Sequence, residues 1–349
     1  MRFERRTDTP THLAILAPVA AVIAALALAG LLILLAGANP IEAYRLMLVS
    51  AFGSRLAITE TLTRTAPLIL TGLAAAVAFR ARLWNIGGEG QFYLGALAVA
   101  AIGHSALVGL PPVLGIMVLM AVGATAGALL LLGPLLLRLR FGVDEVVTTL
   151  LLNFIVLLFV SMMIEGPLKD PMSMGWPQSL RVSSDFALAK LVPRSRLHVG
   201  LLIACGVAVL IWAMQARSVF GFETRAAGLN PAAATFAGIS LPSTLIAVAC
   251  LSGGLAGLAG GIEVMGLKGY VTTDMSPGYG YSGIVVAMLA GLHPIGVVLT
   301  ALFVAIVFVG ADGMSRALGV PSFIADVIVA ISLLAMLVSL LFVSYRVRR

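Results

Sequence analysis

The chain has 349 residues, of which 60% are hydrophobic and 11% charged, with a mean hydropathy of +1.09 and a formal net charge of +7. Soluble domains carry roughly a quarter charged residues, so this composition excludes one and specifies a membrane protein. The basic excess sits mostly at the ends of apolar runs, where it sets membrane orientation, and is not read as a nucleic-acid surface.

The apolar runs can each cross a hydrocarbon core of about 30 Å. Backbone groups there must bond internally, so the spans are helices or a closed barrel. A barrel would alternate apolar and polar residues over short strands. These runs are continuously apolar, and the sequence predicts an all-α, polytopic helical bundle forming one domain over residues 1–349. The two cysteines, Cys205 and Cys250, lie inside apolar runs, too far apart in sequence to suggest a metal site or a disulfide framework.

In chain order, the first span is expected at Leu13–Ala36, a run too long for a signal peptide. A membrane-surface helix is expected from Ile41 to about Glu60, then spans at Thr61–Phe79, Gly90–Val108, Val113–Leu137 and Val146–Ile164. A long polar loop, about 165–197, follows, rich in Pro, Ser and Trp. Span six is expected at His198–Met214 and a polar interruption at 217–242. The remaining spans are expected at Thr244–Leu267, Ser282–Gly291, Val297–Ala311 and Phe323–Val343. About ten spans put both termini on one side. Arg80, Arg82, Arg138, Arg140, Arg217 and Arg225 join the basic tails (about 1–12 and 344–349) on that side, so both termini are expected to be cytoplasmic.

Four polar constellations interrupt the apolar pattern. In "RARLWNIGGEGQ", from Arg80, the glycines allow irregular backbone, and Asn85, Glu89 and Gln91 can bond the groups such a break frees. A plain capped turn is the competing reading. In "FGFETRAAGLNPAAATFAGISLP", Asn230 reads as a cap and Pro231 as the first helical residue of a short helix with a small-residue surface. Such a helix docks in a partner's groove or merely connects two spans. Gly253, Gly257 and Gly261 give overlapping GxxxG spacing for close helix packing, and Glu263 follows near the outer end, either paired to an interfacial group or on a solute path. In "DEVVTTLLLNFI", Thr148, Thr149 and Asn153 share a helical face, for interhelical bonding or for lining a polar passage.

No catalytic arrangement and no metal site emerge. The four histidines are scattered, and HExxH, GxSxG and the phosphate-binding GxxxxGK[ST] pattern are absent from the sequence. An intramembrane enzyme is therefore disfavoured.

"LWNIGGEGQFYLGA" resembles the "FNIGxEGQ" signature of permease subunits of ATP-binding-cassette (ABC) importers for nucleosides and related simple sugars, the ribose-type permeases. The resemblance continues, in the family's order, through "DEVVTTLLLNFI", "TRAAGLNPAAATFAGI", "GGLAGLAGGIEVMG" and "GYGYSGIVVAMLAGLHPIG". Trp84 stands where Phe is common, and Gly88 where many members carry Ala. The resemblance implies two permease subunits forming the pathway, as a homodimer or a heterodimer. It also implies cytoplasmic ATPase subunits that bind the ATP, so that no cofactor is held by this chain, and an extracellular solute-binding protein. It implies the cell inner membrane as location. Carried onto this chain, Arg225, Gly228, Leu229, Asn230, Pro231, Ala232 and Ala233 would form a coupling helix against the ATPase. Asn85, Glu89, Gln91, Thr149, Asn153 and Glu263 would line or support the pathway. The loops 165–197 and 268–280 would face the binding protein. The expected solute is a nucleoside or related sugar-containing molecule, with a ribose-type sugar as the alternative. A stand-alone secondary transporter is the alternative of a different class; it calls for an inverted repeat, and no convincing internal repeat is visible.

Overall fold

A computed structural model describes residues 2–5, 11–35, 37–105, 107 and 109–319, with Phe323, Val327, 330–331, 334–335, 338 and 345–348 beyond them. The described residues are helical throughout apart from loops and one short terminal ribbon. They divide into two units, residues 62–302 and residues 1–61 with 303–349.

The smaller unit begins with α1 (Thr11–Leu35) and α2 (Pro40–Phe52), bent by 114° between Ile23–Leu35 and Pro40–Phe52. Asn39 makes the bend by capping α2, its side chain accepting from Ile41 N–H at 2.9 Å, with Pro40 at the first helical position. The helix α2 buries Ala43, Met47 and Ala51, a stripe at intervals of four. Gly53 ends it, and the Ser54 hydroxyl accepts from Ala57 N–H to start α3 (Arg55–Arg80). The expected surface helix to Glu60 is thus too long by eight residues, because the Gly-Ser pair at 53–54 breaks the chain earlier and Glu60 belongs to α3. Backbone pairing of β1 (Arg2–Arg5) with β2 (Tyr345–Arg348), antiparallel with Arg2 opposite Arg348, brings the two terminal segments together. Most of the expected tenth span, Phe323–Val343, lies outside the described residues.

The larger unit holds α4 (Gly88–Gly103), α5 (Pro112–Phe141), α6 (Glu145–Glu165), α7 (Gly200–Arg217), α8 (Val219–Leu229), α9 (Pro231–Phe236), α10 (Leu241–Glu263) and α11 (Tyr279–Leu289). The helices α3 and α12 (Pro294–Leu318) contribute residues to both units. The helix α12 runs on through "DGMSRAL" past Ala311, the expected end of that span, since nothing before Gly319 breaks it. Six described helices are long and apolar enough to cross a membrane, seven if the bent α1–α2 pair is one span. The protein is therefore a multi-pass membrane protein.

The core of the larger unit is a glycine junction. The α10 face carrying Gly253 and Gly257 lies directly on Gly123 and Gly127 of α5 and Gly95 of α4. A Cβ on Gly257 would fall into the carbonyl oxygen of Gly123, and one on Gly127 would stand 2.8 Å from Gly257 Cα. Backbone-to-backbone contact of this kind replaces the hydrophobic drive that lipid does not supply.

Candidate functional site

The polar knot after α3 starts with a tight stop. Arg82 takes a left-handed conformation (φ 54°), Arg82 N–H donates to Phe79 O and Leu83 N–H to Ala78 O, each at 3.0 Å. This is the Schellman pattern that usually places glycine at the position Arg82 holds.

The chain then turns back into the bundle, so the knot is more than the plain capped turn that competes as a reading of the sequence. Asn85 and Gln91 form a reciprocal amide pair, Asn85 Nδ2 donating to Gln91 Oε1 at 2.9 Å and Gln91 Nε2 to Asn85 Oδ1 at 2.8 Å. Asn85 Nδ2 also donates to Ser252 Oγ at 3.0 Å, and Ser252 donates to Ala74 O at 2.7 Å. Ser252 lies midway along α10 and Ala74 almost two turns before the end of α3, so Asn85 is held at depth.

The α6 residues close the knot from the other side. Asn153 Oδ1 accepts from Gly90 N–H at 2.8 Å, and Asn153 Nδ2 donates to Ile86 O at 2.9 Å and to Tyr281 Oη at 3.2 Å. Thr149 Oγ1 accepts from Ile86 N–H at 3.2 Å and donates to Glu145 O at 2.7 Å. Arg138 donates to Glu145 Oε1 at 2.6 Å and to Arg82 O at 3.3 Å, tying α5 and α6 to the α3 stop. Asn85, Glu89, Gln91, Thr149 and Asn153 are all buried. Their hydrogen bonds go to backbone, to one another and to the Ser252 and Tyr281 hydroxyls, which is how polar groups survive in a bundle interior.

Two short helices begin at this layer. The helices α4 and α11 have 16 and 11 residues, about 24 and 17 Å at 1.5 Å per residue, less than the roughly 20 residues a full crossing needs. Their first turns touch: Gly280 N–H donates to Glu89 Oε2 at 2.6 Å, and a Cβ on Gly280 would strike the backbone of Gly88 and Glu89. The Glu89 carboxyl thus sits where the N-terminal ends of two helices converge, with Gly280 N–H as its donor. The segment leading to α11 runs along α4 to reach it: Tyr93 Oη donates to Thr273 O at 2.6 Å, and Ser276 N–H donates to Tyr93 Oη at 3.2 Å. Within the loop 268–280, Val271, Met275, Tyr279 and Gly280 are buried against the bundle, while Thr273, Asp274 and Pro277 are exposed.

At the opposite end of α4 the loop 166–199 is ordered by backbone bonds: Ser183 N–H to Gly103 O at 3.0 Å, Val182 N–H to Gly269 O at 2.8 Å and Leu188 N–H to Met265 O at 3.0 Å. There α10 loosens into a π-helical turn, Val264–Lys268, closed by Gly269 with φ 75°. The buried Glu263 precedes this turn, and Lys190 donates to Gly266 O at 2.6 Å. Burial, then the Arg196 charge, lower the Lys190 ammonium from its usual range, and the Glu263 charge opposes them. His198 is not among the site residues expected from sequence, because a lone histidine at a span end has no pattern. Its ring fills the space that side chains at Gly200 and Gly266 would take, and its Nδ1 accepts from Gly200 N–H at 3.1 Å. Burial, then Lys190, lower it to about 4 from 6.5. The folded chain thus takes up this proton later than the unfolded chain as pH falls. Stability from this site is full above about 6.5 and is lost as pH drops through the window from 6.5 towards 4. Melting curves at pH 7.5 and 5 should show a loss larger in the wild type than in His198→Asn, by on the order of 2 kcal/mol at pH 5. An identical pH response in the two proteins would contradict this.

The polar interruption folds as α8 and α9. Gly228 is buried against α3, where a Cβ would meet the Arg80 carbonyl oxygen. Arg80 donates to Gln215 Oε1, and Arg225 Nη2 donates to Gln215 O at 3.4 Å. Asn230 caps α9 as expected, its side chain accepting from Ala233 N–H at 3.1 Å, with Pro231 at the first position. Arg225, Leu229, Asn230, Pro231, Ala232 and Ala233 are exposed, and Phe236 is 96% exposed. Gly228 alone of the seven expected coupling residues faces inward, because α8 needs backbone approach to α3.

Residues 57–343 match the family described as branched-chain amino acid transport system / permease component. Three curated proteins are each 35% identical. The glucose ABC transporter permease protein TsgB13 of Haloferax volcanii aligns over 99% of this chain and 93% of its own. The guanosine ABC transporter permease protein NupP of Bacillus subtilis aligns over 92% of both chains. The nucleoside ABC transporter permease protein NupB of Lactococcus lactis aligns over 90% of this chain and 88% of its own. The glycine junction, the buried knot and the exposed short helix are thus features of a transport component, and the chain belongs to the branched-chain amino acid transport system permease family, as a permease subunit of an ABC importer.

Proposed function

We propose that the chain carries a nucleoside, or a related small sugar-containing solute, across the cell inner membrane. The solute is delivered by an extracellular binding protein, and separate ATPase subunits supply the energy, so that this chain has no ATPase site and binds no cofactor of its own. The observation that carries the reading is similarity at 35% identity, over nine-tenths of the chain, to guanosine and nucleoside permease proteins. The equal identity to a glucose permease protein favours a simple sugar as the second reading. Uptake of labelled guanosine in cells expressing the complete transporter, with a large excess of unlabelled glucose, separates the two. Uptake insensitive to glucose is expected; uptake of glucose that guanosine leaves unchanged would select the sugar.

In this reading the chain crosses the membrane about ten times with both termini cytoplasmic, a topology that the pairing of β1 with β2 supports. A second permease subunit completes the pathway, as an identical copy or a sister chain. Exposed α9 is the coupling helix: Pro231, Ala232 and Ala233 present a small-residue face, with Leu229 and the Asn230 cap leading into it, Arg225 at its flank and Gly228 seating α8 on α3. Asn85, Gln91, Thr149 and Asn153 support the pathway by holding the α4 and α11 ends, Glu89 joins those ends, and Glu263 braces the outer turn. The loop 166–199 meets the binding protein. Ala233→Trp leaves an exposed site but overfills the docking face. Because about 1.4 kcal/mol corresponds to tenfold in affinity, ATP-driven uptake should fall about tenfold or more with the melting temperature unchanged. Full uptake in that variant would remove α9 from the coupling role.

A further inference from the structure

At the Arg80 end of the larger unit, the α3 stop, the end of α5, α9 and the start of α10 enclose a groove of about 850 Å³. Its walls combine Arg82 and Arg138 with an apolar strip of Leu139, Ile239, Leu241 and Leu245, and none of the described lining residues is acidic. Arg138 uses Nη1 for both of its bonds, to Glu145 and to Arg82 O. The Arg82 guanidinium makes no hydrogen bond or ion pair among the described residues. The helix α10 opens into the groove at Ser240 and Leu241 without a side-chain cap. Positive charge and free N–H donors thus gather at one end of the groove while aliphatic side chains line the rest.

Arg82 also occupies a backbone position that glycine fills at no steric cost. A left-handed non-glycine residue costs about 1 kcal/mol, and such outliers gather at working sites. The cost is retained with a side chain that the fold itself does not use. We propose that this groove binds an anionic phospholipid, its phosphate on Arg82 and Arg138 and one acyl chain along Leu139 and Leu245. The apolar strip lies on the last turn of α5 and the first turns of α10, two membrane-crossing helices, beside the half-exposed Trp84, so it stands at the height of the bilayer interface. That position favours a lipid over a water-borne anion or a protein segment.

The test is native mass spectrometry of the full chain in detergent with phosphatidylglycerol or phosphatidylcholine added, beside melting curves. Phosphatidylglycerol should be retained about tenfold more strongly than phosphatidylcholine. Arg82→Gly should abolish that preference while the lipid-free melting temperature stays the same or rises. Leu245→Glu should expel both lipids. Equal retention of the two lipids, a preference that survives Arg82→Gly, displacement by millimolar inorganic phosphate, or displacement by the docked ATPase subunit would each overturn the proposal.

Discussion

Gly257→Leu should abolish accumulation of the folded protein. The substituted Cβ would fall into the Gly123 carbonyl, and the Gly127 backbone leaves it nowhere to go. Overfilling a packed core costs about 1–3 kcal/mol where neighbours can shift, and here the neighbours are main-chain atoms of α5, so the cost is at least about 3 kcal/mol. Membrane-fraction yield and size-exclusion profiles in mild detergent measure this. Gly133→Leu on α5, where a side chain would meet open space, is the matched control and should express normally. A monodisperse Gly257→Leu protein at wild-type yield would show that the junction is not what closes the bundle.

Asn153→Leu should lower stability and transport together. The leucine would leave Gly90 N–H and Ile86 O without their side-chain partners inside the bundle. Each buried unsatisfied group costs about 1–3 kcal/mol, so the variant should lose about 2–6 kcal/mol and melt many degrees lower. Transport per folded molecule should stay close to wild type at low temperature. A normal melting curve with lost transport would instead put Asn153 in contact with the solute. The same comparison applied to Asn85, whose two side-chain atoms serve Gly87, Gln91 and Ser252, should give the same paired loss.

Much of this was legible in the residues themselves. Hydropathy located the helices, because lipid leaves the backbone no alternative. Asn230-Pro231 announced α9 because its capping is local chemistry. The GxxxG spacing on α10 announced close packing, and its counterpart in α5, Gly123 and Gly127, stood in the sequence unread. What local pattern does not contain is depth. For Asn85, Glu89 and Gln91 the sequence left a plain capped turn open beside the pathway-supporting role, because it cannot say that the chain folds back to Ser252. The same gap hid the path of the segment before α11 along α4, which depends on the Tyr93 and Glu89 contacts. The inward face of Gly228 depends likewise on Arg80, and the wedge of His198 on Gly200 and Gly266, partners distant in sequence.

The most direct measurement is uptake of labelled guanosine into liposomes holding the chain with its ATPase and partner permease, with the binding protein added outside and ATP enclosed. Uptake should require the ATP, the ATPase subunit and the binding protein, each omission reducing it to background. Uptake that proceeds through this chain alone on a solute or ion gradient would contradict the account.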